Sequence, residues 1–170
     1  MDFLELAKER YSCRKLSDRA VEQELLDKIV DAAILAPTAV NKQPYKIWLV
    51  QSEEVKAHMP EVTRFTFGAP VFMVLGYQEE GAYVRKYDER NFADIDAGIV
   101  GTHMMLEVTN LGLGTTWVGH FDAPKLKELC PCMKDYELVA IFPIGYPAED
   151  AHPAHLHEER KTREEVVEVI

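Results

Sequence analysis

The sequence predicts a layered domain of helices and strands, and three observations carry that expectation. Apolar residues recur at helical spacing over about residues 2–11, 22–36 and 91–110. Between and after these stretches stand short apolar runs of strand character at Tyr45–Val50, Val71–Tyr77 and 137–146. The two patterns alternate along 170 residues, a length that suits one domain with a core of its own. Periodicity leaves the strand direction open.

The elements follow in order. The first helix places Phe3, Leu6, Ala7 and Arg10 at helical spacing. The second has Leu25, Ile29 and Ala32 on one face, with Leu26, Val30 and Ala33 beside them. Pro37 ends it, because the residue before a proline is pushed out of the α region. Pro44 and Ser52, a candidate helix N-cap, bound the first strand. The unbroken run VFMVLGY at 71–77 predicts a strand buried on both faces. In the long helix, Ile95, Ile99 and Leu106 mark one face. Val100, Met104, Met105 and Val108 make it apolar almost all round, so it is central or covered by a partner. Gly112 and Gly114 read as its C-caps. A short strand at 115–119, a helix from Asp122 to about Leu129, and the strand at 137–146 complete the pattern. The tail from His152 is polar until VVEVI at 166–170.

Composition narrows the function. Lys and Arg number 19 against 29 Asp and Glu, a net charge of −10, which argues against general nucleic-acid binding. No run of about 18 apolar residues predicts a membrane span. The first residues are acidic and amphipathic, unlike a secretory signal, and three sparse cysteines (Cys13, Cys130, Cys132) fit a reducing cytoplasm. Cys130-Pro131-Cys132 is C-x-C rather than the redox C-x-x-C, so these are read as incidental thiols. His152, His155 and His157 lack a further ligand set, so no metal site is expected and the histidines are read as structural or solvent-facing. The charged stretch 79–90, with Tyr83 and Tyr87, reads as a solvated, lid-like segment. No triad or carboxylate pair stands out, so no catalytic side chain is assigned.

Three constellations could bind a ligand. Arg10-Tyr11-Ser12-Cys13-Arg14 puts two guanidiniums and a hydroxyl within five residues, which suits a phosphate or, equally, a basic helix end favoured by the macrodipole. Residues 36–44 (APTAVNKQP) form a loop fixed by prolines that offers amides to a planar polar ligand, or simply connects helix to strand. Residues 111–119 (LGLGTTWVG) lack the third glycine of the dinucleotide fingerprint and follow a helix, so a Rossmann reading fails. Gly119 permits close backbone approach to a ligand.

In combination these features are specific. Arg10-x-Ser12-x-Arg14, then Ala36-Pro37-Thr38-Ala39-x-Asn41-x-Gln43-Pro44, a long central helix ending in Leu111-Gly112-Leu113-Gly114, then Ile144-Gly145-Tyr146-Pro147 and Arg160-Lys161: in this order the chain resembles the FMN-dependent nitroreductase family, over about residues 3–168. It is similar to the short members, which lack insertions over the active site. The resemblance implies an α+β nitroreductase-like fold, a mostly antiparallel central sheet flanked by helices, in an intertwined homodimer with FMN at two interfacial clefts. It implies that Arg10, Ser12 and Arg14, with the Tyr11 backbone, hold the phosphate and ribityl chain, and that Arg160 and Lys161 complete the phosphate site. Pro37, Thr38, Ala39 and Asn41 would come from the partner subunit to line the flavin ring. Trp117, Val118, Gly119 and His120 would lie along its other side, with any contact to flavin N5 made by backbone N–H. Asp96 is a candidate for the pyrimidine edge. Three departures stand out: Tyr11 where many members have Arg or His, Thr38-Ala39 in place of Ser-Ser, and Gly-His between Val118 and Phe121.

The activity implied is a ping-pong transfer of electrons from NAD(P)H through flavin N5 to a small electron-poor acceptor: a nitroaromatic, a quinone or a flavin. The alternatives are an FMN-sequestering protein without turnover, a dehalogenase-type enzyme on the same fold, and a purely structural homodimer.

Overall fold

The computed structural model describes residues 2–170. Helix α1 (Phe3–Glu9) opens on a capping box, Asp2 accepting from the Leu4 N–H while Glu5 accepts from the Asp2 N–H. It stops two residues earlier than periodicity suggests. Ser12 bridges Thr115, and the Cys13 N–H donates to the Thr115 carbonyl at 2.9 Å, so the chain is drawn into an extended pairing. Helix α2 is Gln23–Ile34.

Strands β1 (Tyr45–Val50), β2 (Val71–Tyr77), β5 (Gly114–Thr115) and β6 (Glu137–Gly145) form one sheet in the order β1-β2-β6-β5, with every pairing antiparallel. Tyr45 stands opposite Tyr77 and Val71 opposite Ile144. Helices cover both faces, which is why β2 is apolar throughout. Val71, Met73 and Leu75 join the core built with α2 and the long helix α4 (Ala93–Asn110), where they meet Leu26, Ile29, Val100 and Met104. Phe72 and Val74 point the other way, into a second core with Met59 and Val62 of α3 (Glu53–Val62) and Leu126 of α5 (Ala123–Leu129). Ser52 sits at the N-terminus of α3 but makes no side-chain cap bond, whereas Asp122 caps α5 by accepting from Lys125 N–H at 3.0 Å.

Several expectations are corrected. The buried face of α4 is Ala93, Asp96, Ala97, Val100, Gly101, Met104 and Val108, while Ile95 of the expected face is 40% exposed. Gly112 does end α4: its φ is +73°, its N–H donates to Thr109, and the Leu113 N–H reaches back to Val108. Gly114 is no cap. It is a strand residue against Cys13, where a Cβ would stand 2.8 Å from the sulfur.

The strand expected at 115–119 is broken. Val118 and Ile141 exchange both backbone bonds at 3.0 Å, and Thr115 pairs with Ile144, but Pro143 has no N–H to offer Thr116 between them. Residues 79–90 lead into a two-residue hairpin, β3 (Val84–Arg85) with β4 (Arg90–Asn91). Tyr83 packs edge-on against Phe92, while Tyr87 stands exposed. The tail adds a turn at His155–His157 and a short α6 (Arg163–Val166). No described helix is long and apolar enough to cross a membrane.

Candidate functional site

The extended pairing after α1 sets which side chains face outward. Cys13 is fully buried against Gly114, so its neighbours Ser12 and Arg14 turn the opposite way. Together with Arg10 they line a cavity of about 170 Å³ whose other wall is the C-terminal tail: Ala154, Leu156, His157 and Arg160. The two ends of the chain are tied here, as His157 Nε2 lies 3.1 Å from the Lys8 carbonyl.

Three guanidiniums thus converge, and among the described residues none of them forms an ion pair. Like charges held this close repel one another, and the chain's net charge of −10 is carried elsewhere on the molecule. Partial burial and the nearby Arg160 charge both lower the pKa of Arg10. Among the described residues Arg14 donates only to the Ser12 carbonyl at 3.2 Å and Arg160 only to the Glu159 carbonyl at 2.7 Å. Unneutralised forks of this kind suit a phosphate. Lys161 is exposed and does not line the cavity. Tyr11 donates its hydroxyl to the Cys13 sulfur at 3.6 Å, and burial first, then this bond, push its pKa up to about 12.

Arg14 also belongs to a second cavity of about 170 Å³, with Phe65, Phe67, Thr116, Trp117, Val118, Gly119 and His120. The guanidinium cluster and an aromatic slot therefore adjoin at Arg14. The Trp117 indole is locked in place: it meets Phe142 edge-on at 5.2 Å and lies over Gly101. Beside Gly119 the nearest atom to an added Cβ is Trp117 Nε1 at 3.9 Å, so the backbone there is open to a ligand. Neither the Gly119 nor the His120 N–H meets an acceptor among the described residues. The His120 carbonyl accepts from the buried Thr63 hydroxyl at 2.8 Å, and the same hydroxyl accepts from Phe65 N–H, which sets the aromatic wall.

The 36–44 loop lines neither cavity of its own chain. Val40, Asn41 and Gln43 are left-handed, with φ between +50° and +53°. The loop is held by Thr38 Oγ1, which accepts from Gln43 N–H at 3.0 Å, and by Asp96, which accepts from Ala39 N–H at 2.8 Å. Asp96 is 1% exposed, and its other oxygen has no partner among the described residues. It is sealed away from any flavin edge in this chain and acts as a loop anchor.

Sequence reasoning assembled the arginines and the Trp117–His120 stretch, but not His157, Phe65, Phe67 or Gly101. Of these, only the paired phenylalanines before β2 carried a local signal.

The profile of the nitroreductase family matches residues 7–64 and 63–146. The chain belongs to the nitroreductase family. A Methanothermobacter thermautotrophicus protein named for NADH dehydrogenase and NAD(P)H nitroreductase activity is 31% identical over 157 residues, 88% of this chain and 80% of that one. The FMN reductase [NAD(P)H] of Bacillus subtilis is 28% identical over 156 residues, 81% of this chain and 63% of that protein. The crystal structure of a nitroreductase family protein from Clostridium difficile 630 superposes with a TM-score of 0.89 at 34% identity, covering 99% and 98% of the two chains. The nitroreductase match takes in Arg10, Arg14 and the aromatic slot but ends before Arg160 and His157. The tail side of the guanidinium cavity is thus supplied from outside the matched region.

Proposed function

We propose that this nitroreductase-family chain, as one domain over residues 1–170, is an FMN-dependent oxidoreductase that works as a homodimer and takes NAD(P)H as its electron donor. The observation that carries this reading is the continuity of three unpaired guanidiniums with an aromatic-walled slot through the shared Arg14. A phosphate monoester fits the first part and a flat ring the second. The names of the Methanothermobacter and Bacillus relatives point the same way. When bound, FMN would supply the redox chemistry that links NAD(P)H to a small acceptor such as a nitroaromatic, a quinone or a flavin.

The side chains bind and orient. Arg10, Arg14 and Arg160 neutralise the phosphate, and Ser12 adds a hydroxyl donor. The free N–H groups of Gly119 and His120 are donors for a ring heteroatom, while Trp117 and Val118 flank the ring. No side chain needs to act as acid, base or nucleophile. Pro37, Thr38, Ala39 and Asn41 are assigned to the partner's site. Support comes from the exposed apolar residues Ile34, Leu35, Val40 and Ile95, brought together where the Ala39–Asp96 bond ties this loop to α4.

The test is the absorbance spectrum of the purified protein, followed by anaerobic titration with NADH and NADPH. Bound flavin that bleaches with either donor is expected. Protein that is colourless, and stays so after incubation with FMN, refutes the reading; flavin that neither nucleotide reduces leaves binding without turnover.

A further inference from the structure

His157 occupies the wall of the guanidinium cavity although the local sequence offers no reason for it to be there. Its Nε2 is committed. A carbonyl oxygen only accepts, so the bond to Lys8 at 3.1 Å requires hydrogen on Nε2. In the neutral ring Nδ1 is therefore a bare lone pair, and no described residue bonds to it. Arg10, Arg14 and Arg160 line the same cavity and oppose a further positive charge there. Of the other groups around it, Tyr11 meets the ring edge-on at 6.4 Å, and His155 on the same turn lies 3.9 Å from Glu159. No described carboxylate comes within ion-pair distance of His157 itself. A seated phosphate monoester brings about −1.5 to −2 charge and three acceptor oxygens, and reverses that balance.

We propose that His157 is a further ligand of the anion site: it takes a proton from solvent at Nδ1 as a phosphate monoester binds, and donates it in a hydrogen bond to a phosphate oxygen. Phosphate binding is then coupled to proton uptake, and the affinity of the site is tuned by pH across the neutral range. The identity of the monoester as FMN rests on the function proposed above.

The experiment titrates FMN and riboflavin, which lacks the phosphate, into the full chain between pH 6 and 8.5, following flavin fluorescence. Wild type is compared with His157→Gln, which keeps a donor for the Lys8 carbonyl but cannot carry the charge, and with His157→Phe, which does neither. FMN's own phosphate ionisation is common to all three proteins and cancels in the comparison. At pH 8.5 wild type and H157Q bind FMN within about twofold. At pH 6 wild type binds FMN about tenfold more tightly than H157Q, while riboflavin affinities coincide throughout. Calorimetry in two buffers of different ionisation enthalpy shows more protons taken up per FMN by wild type than by H157Q. Coincident pH curves for wild type and H157Q, with FMN still preferred over riboflavin, overturn the role of His157 and leave the FMN reading standing. Loss confined to H157F makes the residue a packing group and also overturns it. If wild type does not prefer FMN to riboflavin at any pH, the phosphate site itself fails.

Discussion

Replacing Arg10 and Arg14 together by alanine removes two of the three cations assigned to the phosphate. A hydrogen bond to a charged group contributes about 1.5–3 kcal/mol when shielded from water, so the half-buried Arg10 is given about 2 kcal/mol. Arg14 is exposed and screened, and is given about 1 kcal/mol. The sum, about 3 kcal/mol, corresponds to about a 100-fold loss of FMN affinity at 1.4 kcal/mol per decade. The assay is flavin fluorescence quenching at low salt, with riboflavin as the internal control. Riboflavin reports any damage to the aromatic slot that Arg14 shares, so its affinity falls by no more than about threefold under the same charge reasoning. The free variant loses no stability: with no anion present, Arg10 and Arg160 repel each other, so its melting temperature is unchanged or higher than that of the flavin-free wild type. FMN affinity within threefold of wild type, or equal losses for FMN and riboflavin, refutes the phosphate assignment.

Gly101→Ala drives a Cβ to 2.4 Å from the Trp117 ring and 3.1 Å from Phe142, and costs about 1–3 kcal/mol in urea denaturation. Gly98→Ala, with nothing within 4 Å, is neutral or gains up to about 1 kcal/mol in the same assay, and equal effects at the two sites refute the packing argument. Asp96→Ala strands the Ala39 N–H and costs about 1–3 kcal/mol, whereas Asp96→Asn keeps the acceptor for Ala39 and exchanges one unpaired buried group for another, so its denaturation midpoint lies above that of Asp96→Ala. Glu22 is held at about 2 by the Tyr146 hydroxyl (2.6 Å) and by Arg19, and Glu61 at about 2 by Lys125 and His58. Both folded values lie below the ordinary 4.5, so the unfolded chain binds more protons, and the stability these groups lend is complete above pH 4.5 and lost as pH falls towards 2. Thermal melts of Glu22→Gln and Glu61→Gln between pH 6 and 2.5 show a shallower acid decline than wild type.

The expected strands at Tyr45–Val50 and Val71–Tyr77 coincide with β1 and β2, because each is a short apolar run bounded by turn or helix-start residues. Antiparallel direction came only with the resemblance, since a strand buried on both faces reads alike in parallel and antiparallel sheets. The core face of α4 was misjudged for a related reason: a helix apolar almost all round carries no stripe to read. Gly112 and Gly114 stand two residues apart and look the same in sequence. One is left-handed at a helix end; the other is small because Cys13 presses on it from a segment about a hundred residues earlier. The early end of β5 depends on Pro143, which matters to Thr116 only once β6 lies beside it.

The site divides along the same line. Arg10, Ser12 and Arg14 were legible because their i, i+2, i+4 spacing becomes a single outward face once the segment is extended. His157 was not, because what places it is a bond to Lys8, 149 residues away. That bond closes the cavity from the tail and brings Arg160 to the other arginines. The acidic composition, read as an argument against polyanions, describes the protein as a whole and not this corner of it. Where both ends of an acidic chain bring unpaired guanidiniums to one cavity, the repulsion among them is a cost that folding alone does not recover. The single phosphate monoester proposed for this spot would recover it, while the acidic remainder of the surface repels a polyphosphate.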